Sequence, residues 1–298
     1  MATELKLPPG RRLAVLGAPV SHSKSPALHR AAYRQLGLDW EYTAQDVAPG
    51  ELGAFLGTLG PDWLGLSLTM PFKHEALPLL TERDRVAQVT GAANTLLLSE
   101  PGADGTRTVA GFNTDVVGIV RALADAGITA VSSVAVLGAG ATAASAVMAA
   151  AELGAESVEL IARTPAKAAP LVELGRSLGL VVVVSDLATV PDASRAVGLV
   201  VSTLPGGTRL DVEFPAALRQ HATLLDVAYA PWPSALGASW QEAGGTALSG
   251  LGMLLHQALI QVRIFVSGDP FAPLPDEPAV LASMRAALAA GPSDAVGG

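Results

Sequence analysis

The fold of this chain is decided by the stretch Val134-Ala135-Val136-Leu137-Gly138-Ala139-Gly140-Ala141-Thr142-Ala143, which indicates an apolar strand, a glycine-rich turn and the start of an alanine-rich helix. Glycines in such a turn let the backbone approach a pyrophosphate, and the unpaired N–H groups of the helix N-terminus attract its charge. A lone motif of this kind is weak, because glycine also serves where a strand and a helix merely pack together. Here both flanks fit and further strand–helix units follow, so we interpret the turn as a dinucleotide site.

Apolar strands and helices continue to alternate downstream of the turn. The strands predicted for this part of the chain are 134–137, 157–161, 180–184, 199–202, 224–227 and a short one near 246–248. Alternation of this kind is typical of a parallel sheet covered by helices. It predicts an α/β fold of the Rossmann type, a doubly wound dinucleotide-binding domain over residues 114–249.

A second alternating series lies upstream and predicts a separate α/β domain over residues 1–113. Its predicted strands are 13–17, 41–47, 63–69, 94–98 and 106–110. The last long helix, 251–266, is apolar over much of its surface, and a final helix follows at 278–290. We expect these C-terminal helices, within 250–290, to return to the first domain and complete it. The tail 291–298 is expected to fray.

Composition excludes several classes of function. The net charge of -8 argues against a nucleic-acid partner, which would need a basic surface, and the chain of 298 residues contains no cysteine. The histidines show no metal-ligand spacing, so no metal is expected, and the N-terminus lacks an apolar signal-peptide core. Residues 131–151 carry no charge, but they contain the glycine turn and indicate strand, turn and helix instead of a membrane span. We expect a cytoplasmic protein with a small-molecule substrate.

The end of the second nucleotide-domain strand selects the cofactor. An NAD enzyme usually places an acidic residue there to bind the ribose 2′-hydroxyl. This chain has Ala162-Arg163-Thr164 instead, with Lys167 one turn later. Arginine and lysine pair with a 2′-phosphate, so NADP is favoured over NAD.

Three short polar segments precede the glycine turn. In the first, Ser21 to Pro26, we expect Ser25 to cap a helix whose first residue is Pro26, and hydroxyls beside a helix N-terminus suit a carboxylate. The second ends in Lys73 and the third in Asp115, each of which alone is an ordinary residue of a first helical turn. Together in a cleft, a lysine and an aspartate provide the proton transfer that ketone–alcohol interconversion needs.

Taken in order, these motifs resemble the shikimate dehydrogenase family, which interconverts 3-dehydroshikimate and shikimate with NADP. The resemblance covers nearly the whole chain. Its motifs are Ser-x-Ser-Pro, Thr-x-Pro-Phe-Lys, Gly-Ala-x-Asn-Thr-Leu at 91–96, Asn-Thr-Asp, the glycine turn, Arg-Thr, and Gly-Leu-Gly-Met-Leu-Leu-x-Gln at 250–257. No single motif is decisive, but their joint occurrence is highly specific.

The resemblance implies a role for each matching position. Lys73 and Asp115 form the catalytic pair. The implied substrate-binding residues are Ser23 and Ser25 for the carboxylate, Thr69, Asn94, Asp115 and Gln257 for the ring hydroxyls, and Tyr229 to close the pocket. The implied cofactor-binding residues outside the turn are Ala162, Arg163, Thr164 and Lys167 on the adenosine side, Thr203 and Leu204 along the cleft, and Val227 and Gly250 beside the nicotinamide.

Three positions depart from the commonest family pattern: Ser67 and Ala162 each replace an asparagine, and Ser249 replaces an aspartate. The change at Ala162 removes one adenine-side contact. Three other functions stay open: an NAD-dependent quinate/shikimate dehydrogenase, a relative that acts on an aminated ring, and a non-catalytic nucleotide-binding module. A homodimer is also left open.

Overall fold

The computed structural model describes residues 10–103, 105–189 and 197–290. The chain divides into two units, one formed by Met1–Thr114 with Gln257–Gly298 and the other by Asp115–His256. The predictions about the N-terminal residues and about the tail 291–298 lie outside the described residues. Within the described ranges, no helix combines the length and the apolar character needed to cross a membrane.

The first unit contains a mixed sheet, whose described strands lie in the order β2-β1-β3-β5-β6-β4. In chain order these strands are Arg12–Gly17 (β1), Glu41–Asp46 (β2), Trp63–Leu68 (β3), Glu82–Arg83 (β4), Thr95–Leu98 (β5) and Val109–Phe112 (β6). β1 is parallel to β2 and β3, whereas β5 is antiparallel to both β3 and β6. The C-terminal ends of β1, β3 and β6 therefore meet the N-terminal end of β5 at one edge of the sheet.

Short helices connect these strands and cover the sheet. They are Ser25–Gln35 (α1), Leu52–Gly57 (α2), Phe72–Glu75 (α3) and Arg85–Thr90 (α4), with a 3-10 turn at Leu77–Leu79. The core on one side of the sheet contains Leu16, Leu66, Leu96 and Phe72, all fully buried. Burial of such large apolar side chains, at about 1.5–3 kcal/mol each, stabilises the strand ends that carry the polar segments.

The second unit contains a parallel sheet, whose described strands lie in the order β12-β11-β10-β7-β8-β9. They are Ser133–Leu137 (β7), Ser157–Ala162 (β8), Val181–Asp186 (β9), Leu199–Ser202 (β10), Thr223–Asp226 (β11) and Ala247–Ser249 (β12). The helices between them are Asp115–Asp125 (α5), Ala141–Glu152 (α6), Ala169–Ser177 (α7), Ala216–His221 (α8) and Ala235–Glu242 (α9), with 3-10 turns at Pro165–Ala168 and Leu187–Thr189. The strand order reverses between β7 and β10, and ligands of doubly wound sheets bind at this switch point.

The uncharged stretch 131–151 forms β7, the glycine turn and most of α6, as predicted. Every side chain of α6 from Ala143 to Ala150 is buried. Alanine at most of these positions leaves little side-chain bulk, so the helix packs closely on several sides. Its apolar character thus reflects burial inside the second unit.

The last two helices are Leu251–Ser267 (α10) and Glu277–Ala289 (α11), and the first unit includes α11 and α10 from Gln257 onward. Gly65 of β3 makes the close packing of α10 possible, because a Cβ there would lie 2.5 Å from Cε1 of Phe265. The predicted fold class, an α/β unit and a Rossmann-type sheet with C-terminal helices returning to the first unit, is confirmed.

The strand predicted at 106–110 is wrong in its bounds, since β6 is Val109–Phe112. Its partner β5 ends at Leu98, which lies opposite Val109, so the ladder begins only there. Arg107 precedes it and donates to the carbonyls of Gly60 and Trp63.

Candidate active site

Two polar loops of the first unit meet beyond the ends of β1 and β3. The N–H of Ala18 donates to the carbonyl of Met70 at 3.2 Å, and the N–H of Thr69 donates to the carbonyl of Leu16 at 2.9 Å. Gly17 permits this approach, because a Cβ there would lie 2.7 Å from Cγ2 of Thr69. The serine-rich loop and the segment carrying Thr69 and Lys73 are therefore neighbours, as the parallel strand ends require.

Asn94 lies at the same edge, between two other predicted segments. Its carbonyl accepts from the N–H of Leu68 at 2.7 Å, and its own N–H donates to the carbonyl of Phe112 at 2.9 Å. The N–H of Ala93 donates to the carbonyl of Lys73 at 2.9 Å. The antiparallel start of β5 thus brings Asn94 to the edge reached by the β3 and β6 ends.

Asn94, Thr114 and Gln257 form one buried polar cluster. Nδ2 of Asn94 donates to Oγ1 of Thr114 at 2.9 Å and to Oε1 of Gln257 at 3.3 Å. Oδ1 of Asn94 accepts from the N–H of Thr114 at 3.0 Å. All three residues are buried. Amide and hydroxyl groups without net charge suit the hydroxyl groups of a ring, and the prediction for Asn94 and Gln257 named two of the three.

Thr114 was not predicted as a site residue, although it stands inside the Asn-Thr-Asp motif. Its signal was its place in that motif, between Asn113 and Asp115. Asn113 has a structural role instead, because its Nδ2 donates to the buried Oγ1 of Thr90 at 2.9 Å.

The start of α1 differs by one residue from the prediction. Ser25 is the first helical residue and the N-cap is Lys24, which makes no side-chain capping bond. Oγ of Ser23 instead accepts from the N–H of Ser25 at 3.3 Å. Ser25 was therefore wrongly predicted as the capping residue, since the hydroxyl two residues earlier takes up that role. Both serines lie at the helix N-terminus, where the partial positive charge attracts an anion.

Lys73 and Asp115 occupy the starts of two different helices. Lys73 lies in α3 and is partly exposed, whereas Asp115 is the first residue of α5 and is buried. Asp115 follows Thr114 directly along the chain and opens the second unit. The pairing of Lys73 with Asp115 stays a prediction.

The glycine turn of the second unit contacts the end of β10, at the switch point of the sheet. Gly138 has a φ of +108°, and a Cβ there would lie 2.4 Å from Oγ1 of Thr203. That hydroxyl donates to the carbonyl of Leu137 at 2.7 Å, and the N–H of Thr203 donates to the same carbonyl at 2.9 Å. Glycine is therefore required here both by its backbone angle and by close packing.

Gly140 is a glycine for a different reason. It is the N-cap of α6, with an extended backbone, and a Cβ there would meet no atom within 4 Å. The space lies directly before the first turn of α6, formed by Ala141, Thr142 and Ala143 and their N–H groups. An open space at a long helix N-terminus fits a pyrophosphate, which matches the role predicted for the turn from 138 to 143.

The end of β8 carries the residues predicted to select the cofactor. Ala162 is buried, whereas Arg163, Thr164 and Lys167 are exposed. Asp186, which was not predicted as a site residue, lies opposite Ala162 on β9, and its Oδ1 accepts from the N–H of Ala188 at 2.9 Å. Two exposed cations at the strand end fit a 2′-phosphate.

Val227 and Gly250 are brought together beyond the ends of β11 and β12. A Cβ at Gly250 would lie 1.9 Å from the carbonyl oxygen of Val227, and the N–H of Val227 donates to Ser202 at 2.9 Å. Tyr229 is partly buried in the following loop, within the second unit, and Leu204 packs partly buried on the core of that unit.

Asp226 anchors the loop that carries Tyr229. Its carboxylate accepts from Oγ of Ser234 at 2.6 Å and from the N–H of Ala228 at 3.2 Å. Burial raises the pKa of Asp226 above its usual value, and the hydrogen bonds from Ser234 and Ala228 partly offset this effect. Among the described residues, no group of three or more His, Asp or Glu side chains is placed to hold a metal ion.

A doubly wound sheet with a glycine turn, linked to an α/β unit with a polar edge, defines the class of two-domain nucleotide-binding enzymes. Residues 15–96 match the family model described as the shikimate dehydrogenase substrate binding domain. The NADP(+) shikimate dehydrogenase of Methanothermobacter thermautotrophicus is 33% identical over 265 residues, which cover 86% of this chain and 91% of that protein. The chain belongs to the shikimate dehydrogenase family, which confirms the resemblance seen in its motifs.

Solved structures agree with this assignment. The crystal structure of Mycobacterium tuberculosis shikimate dehydrogenase is 37% identical, with a TM-score of 0.76 over 93% of this chain and 99% of that one. Shikimate 5-dehydrogenase from Thermus thermophilus, in complex with NADP(H) and shikimate, is 32% identical, with a TM-score of 0.75 and the same two coverages of 93% and 99%.

Proposed function

We propose that this protein is an NADP-dependent shikimate dehydrogenase, an oxidoreductase that interconverts 3-dehydroshikimate and shikimate. The observation that carries the proposal is the buried cluster of Asn94, Thr114 and Gln257 at the sheet edge reached by the Lys73 segment. Its relative from Thermus thermophilus binds NADP(H) and shikimate. The same chain carries a glycine turn and two exposed cations that fit NADP.

The first unit would bind the substrate through groups suited to each part of it. Ser23 and Ser25, at the N-terminus of α1, would hold the carboxylate. Because the chain has a net charge of -8, this anion must be attracted by local groups, here the hydroxyls and the N–H groups of the helix N-terminus. Thr69, Asn94 and Gln257 would donate to or accept from the ring hydroxyls. The other residues predicted to bind the substrate, Asp115 and Tyr229, belong to the second unit.

The second unit would bind the cofactor along the carboxyl edge of its sheet. The turn from Gly138 to Ala143 would receive the pyrophosphate, and Arg163 and Lys167 would pair with the 2′-phosphate. Thr203, Leu204, Val227 and Gly250 would lie along the nicotinamide half. When bound, NADP⁺ supplies the acceptor for the hydride that leaves the substrate carbon.

Lys73 would move the proton that accompanies the hydride. Its amine takes the proton of the reacting hydroxyl during oxidation and returns it to the ketone oxygen during reduction. Asp115 is the other member of the predicted catalytic pair. In this role the lysine acts as a general base and acid, so it must exchange between its neutral and charged forms.

We further propose a cytoplasmic location, because a sequence without cysteine suits a reducing compartment. The net charge of -8 disfavours a nucleic-acid partner. We expect no membrane partner, and a homodimer is an assembly state to test by light scattering.

The proposal is tested by the absorbance at 340 nm of purified protein with shikimate and either NADP⁺ or NAD⁺, repeated with quinate. We expect rapid reduction of NADP⁺ with shikimate, and much slower reduction with NAD⁺ or with quinate. Preference for NAD⁺, or equal turnover of quinate, would assign the protein to quinate/shikimate catabolism. Nucleotide binding without turnover of any substrate, an aminated analogue included, would leave a nucleotide-binding module.

A further inference from the structure

A buried polar network lies behind Asn94 in the first unit. Its members belong to α1, β2, β3, β5 and α10, and each is almost inaccessible to solvent. They are Tyr33, His29, Tyr42, Ser67, Thr95 and Gln261. None of them was predicted as a site residue, and one end of the network contacts Asn94 directly.

Gln261 lies at the centre of this network in one amide orientation. Its Nε2 is 3.2 Å from the carbonyl oxygen of Asn94 and 2.9 Å from Oγ1 of Thr95. A carbonyl oxygen only accepts, so the atom facing it must be the nitrogen. Oε1 therefore faces the opposite way, where it accepts from Oγ of Ser67 at 2.8 Å and contacts Nε2 of His29 at 3.2 Å.

The groups behind Gln261 all donate toward its oxygen. Oε1 carries no hydrogen, so Nε2 of His29 is the protonated ring nitrogen, and Nδ1 accepts from the hydroxyl of Tyr33 at 3.1 Å. Burial lowers the pKa of His29 to about 3, so the ring is neutral. The hydroxyl of Tyr42 donates to Oγ of Ser67 at 2.7 Å, which directs the hydrogen of Ser67 to Gln261.

Thr95 connects Gln261 to the side chain of Asn94. Its Oγ1 accepts from Gln261 and donates to Oδ1 of Asn94 at 2.8 Å. The N–H of Thr114 donates to the same Oδ1 at 3.0 Å, so a flipped Asn94 amide would place two donors against each other. Nδ2 of Asn94 is thereby directed at Oγ1 of Thr114 and Oε1 of Gln257, the side of the substrate cluster.

We propose that Gln261 is a positioning residue for substrate recognition, which acts through Thr95 and the carbonyl of Asn94 to hold the Asn94 amide in its donor orientation. This inference rests on the proposed function, in which Asn94 binds a ring hydroxyl. It also explains the departure at Ser67, since a serine hydroxyl directs its hydrogen to Gln261 while accepting from Tyr42. The fixed amide would donate to the oxygen of a ring hydroxyl in place of Oε1 of Gln257, its longer partner at 3.3 Å, and so discriminate against a ring without that hydroxyl.

The first test is steady-state kinetics of Gln261→Leu and Thr95→Val against Thr95→Ser. Loss of one oriented hydrogen bond predicts a rise of roughly tenfold in KM for shikimate, with KM for NADP⁺ and kcat changed much less. Thr95→Ser keeps the hydroxyl and should restore the wild-type KM. Tyr33→Phe removes the hydrogen bond of the network that lies farthest from Asn94, so it should raise KM for shikimate less than Gln261→Leu does and leave KM for NADP⁺ unchanged.

The second test compares the binding of shikimate with that of two analogues, each lacking one non-reacting ring hydroxyl. The wild type should bind the analogue that lacks the hydroxyl contacted by Asn94 roughly tenfold more weakly than shikimate. Thr95→Val should bind that analogue and shikimate with similar affinity. The positioning role is overturned if KM for shikimate is unchanged in folded Gln261→Leu and Thr95→Val. It is also overturned if KM for shikimate and KM for NADP⁺ rise equally in these variants.

The side-chain amide NMR signals of Asn94 report its orientation without any substrate. They should be sharp and at the same chemical shifts in the wild type and in Thr95→Ser, and shifted or broadened by exchange between two side-chain orientations in Thr95→Val. Unaltered signals in Thr95→Val would also overturn the proposal. A wild type with these sharp signals but no turnover of shikimate would instead contradict the proposed function alone.

Discussion

Lys73 is the residue on which the chemistry of the proposed site depends. It lies partly exposed in α3, beside the segment that leads to Asn94. Lys73→Ala should lower kcat for shikimate oxidation about 100-fold to 10,000-fold, because general acid–base catalysis contributes that much. The NADP⁺ affinity should stay unchanged, since no predicted cofactor contact involves this segment. The measurement is the rate at 340 nm with a parallel fluorescence titration of NADP⁺.

Lys73→Arg separates the charge of the lysine from its proton transfer. Arginine keeps the positive charge but stays protonated at any usable pH, so it cannot accept the hydroxyl proton. We expect kcat to fall nearly as far as in the alanine variant, while KM for shikimate stays closer to the wild-type value. A fully active alanine or arginine variant would show that another group moves the proton.

His29 makes the stability of the first unit depend on pH. Burial lowers its pKa to about 3 in the folded protein, against 6.5 for an ordinary histidine. The unfolded chain therefore binds one more proton between those two values, and stability falls as the pH falls from 6.5 toward 3. The contribution of His29 to the free energy of unfolding should decrease by about 1.4 kcal/mol per pH unit in this window.

Urea denaturation of wild type and His29→Gln at several pH values between 4 and 7 checks this expectation. The difference in free energy of unfolding between the two proteins should shrink as the pH falls, because glutamine has no proton to bind. His221→Gln, at an exposed site of the second unit, controls for loss of a histidine. A difference that stays constant with pH would mean that His29 binds its proton equally well in the folded and unfolded states.

At the scale of elements, the two glycines of the turn between β7 and α6 should respond differently to the same change. Gly138→Ala forces a side chain into positive φ and against Thr203, which should lower the free energy of unfolding by roughly 2 kcal/mol or more. Gly140→Ala meets open space, so it should cost less than about 1 kcal/mol. Its methyl group would instead occupy the pyrophosphate space and raise KM for NADP⁺ roughly tenfold or more.

Thermal unfolding and NADP⁺ kinetics of both variants separate these effects. If Gly140→Ala kept the wild-type KM for NADP⁺, the pyrophosphate would not bind at this turn. The contrast also shows why one glycine motif alone is ambiguous in a sequence. Gly138 is required for close packing against Thr203, whereas Gly140 leaves space for a ligand. The sequence alone does not distinguish these two reasons for a glycine.

Apolar strands and helices were predictable, because their buried side chains recur in the sequence with the period of the element or form a continuous apolar run. The strands at β1, β3, β7 and β10 are examples, with nearly every residue buried. β4, Glu82–Arg83, was not predicted, because both side chains are exposed and only backbone pairing with Ala110 and Gly111 defines it. Gly111 itself weakens the strand signal of β6, and it is there because a Cβ would lie 2.3 Å from Leu80.

The residues of the candidate site were also only partly predictable: those in family motifs were predicted, and those in the buried network were not. Asn94 and Gln257 were predicted through the family resemblance, and the structure joins them in one cluster. Gln261 stands four residues after Gln257 and so on the same face of α10, which was the available signal. Nothing in the sequence indicated that its amide faces Thr95, because that contact depends on how α10 packs on the sheet.

At the scale of the whole molecule, the two units have separate sheets, and most of the residues predicted for each ligand lie in one unit. Binding to the folded state alone stabilises the part that holds the ligand, by about 2.7 kcal/mol at a ligand concentration 100 times Kd. We therefore expect the two ligands to slow amide hydrogen exchange in different segments. Hydrogen–deuterium exchange with mass spectrometry measures this for each peptide.

NADP⁺ alone should protect peptides from the end of β7 into α6 and around Arg163, by up to about a hundredfold in exchange rate. Shikimate alone should protect peptides around Thr69 and Asn94, because Asn94, Thr114 and Gln257 belong to the first unit. Arg163→Ala should reduce protection by NADP⁺ and leave protection by shikimate intact. Shikimate protection confined to the glycine turn would contradict the assignment of ligands to units, and it would do so even if the enzyme turned over both substrates.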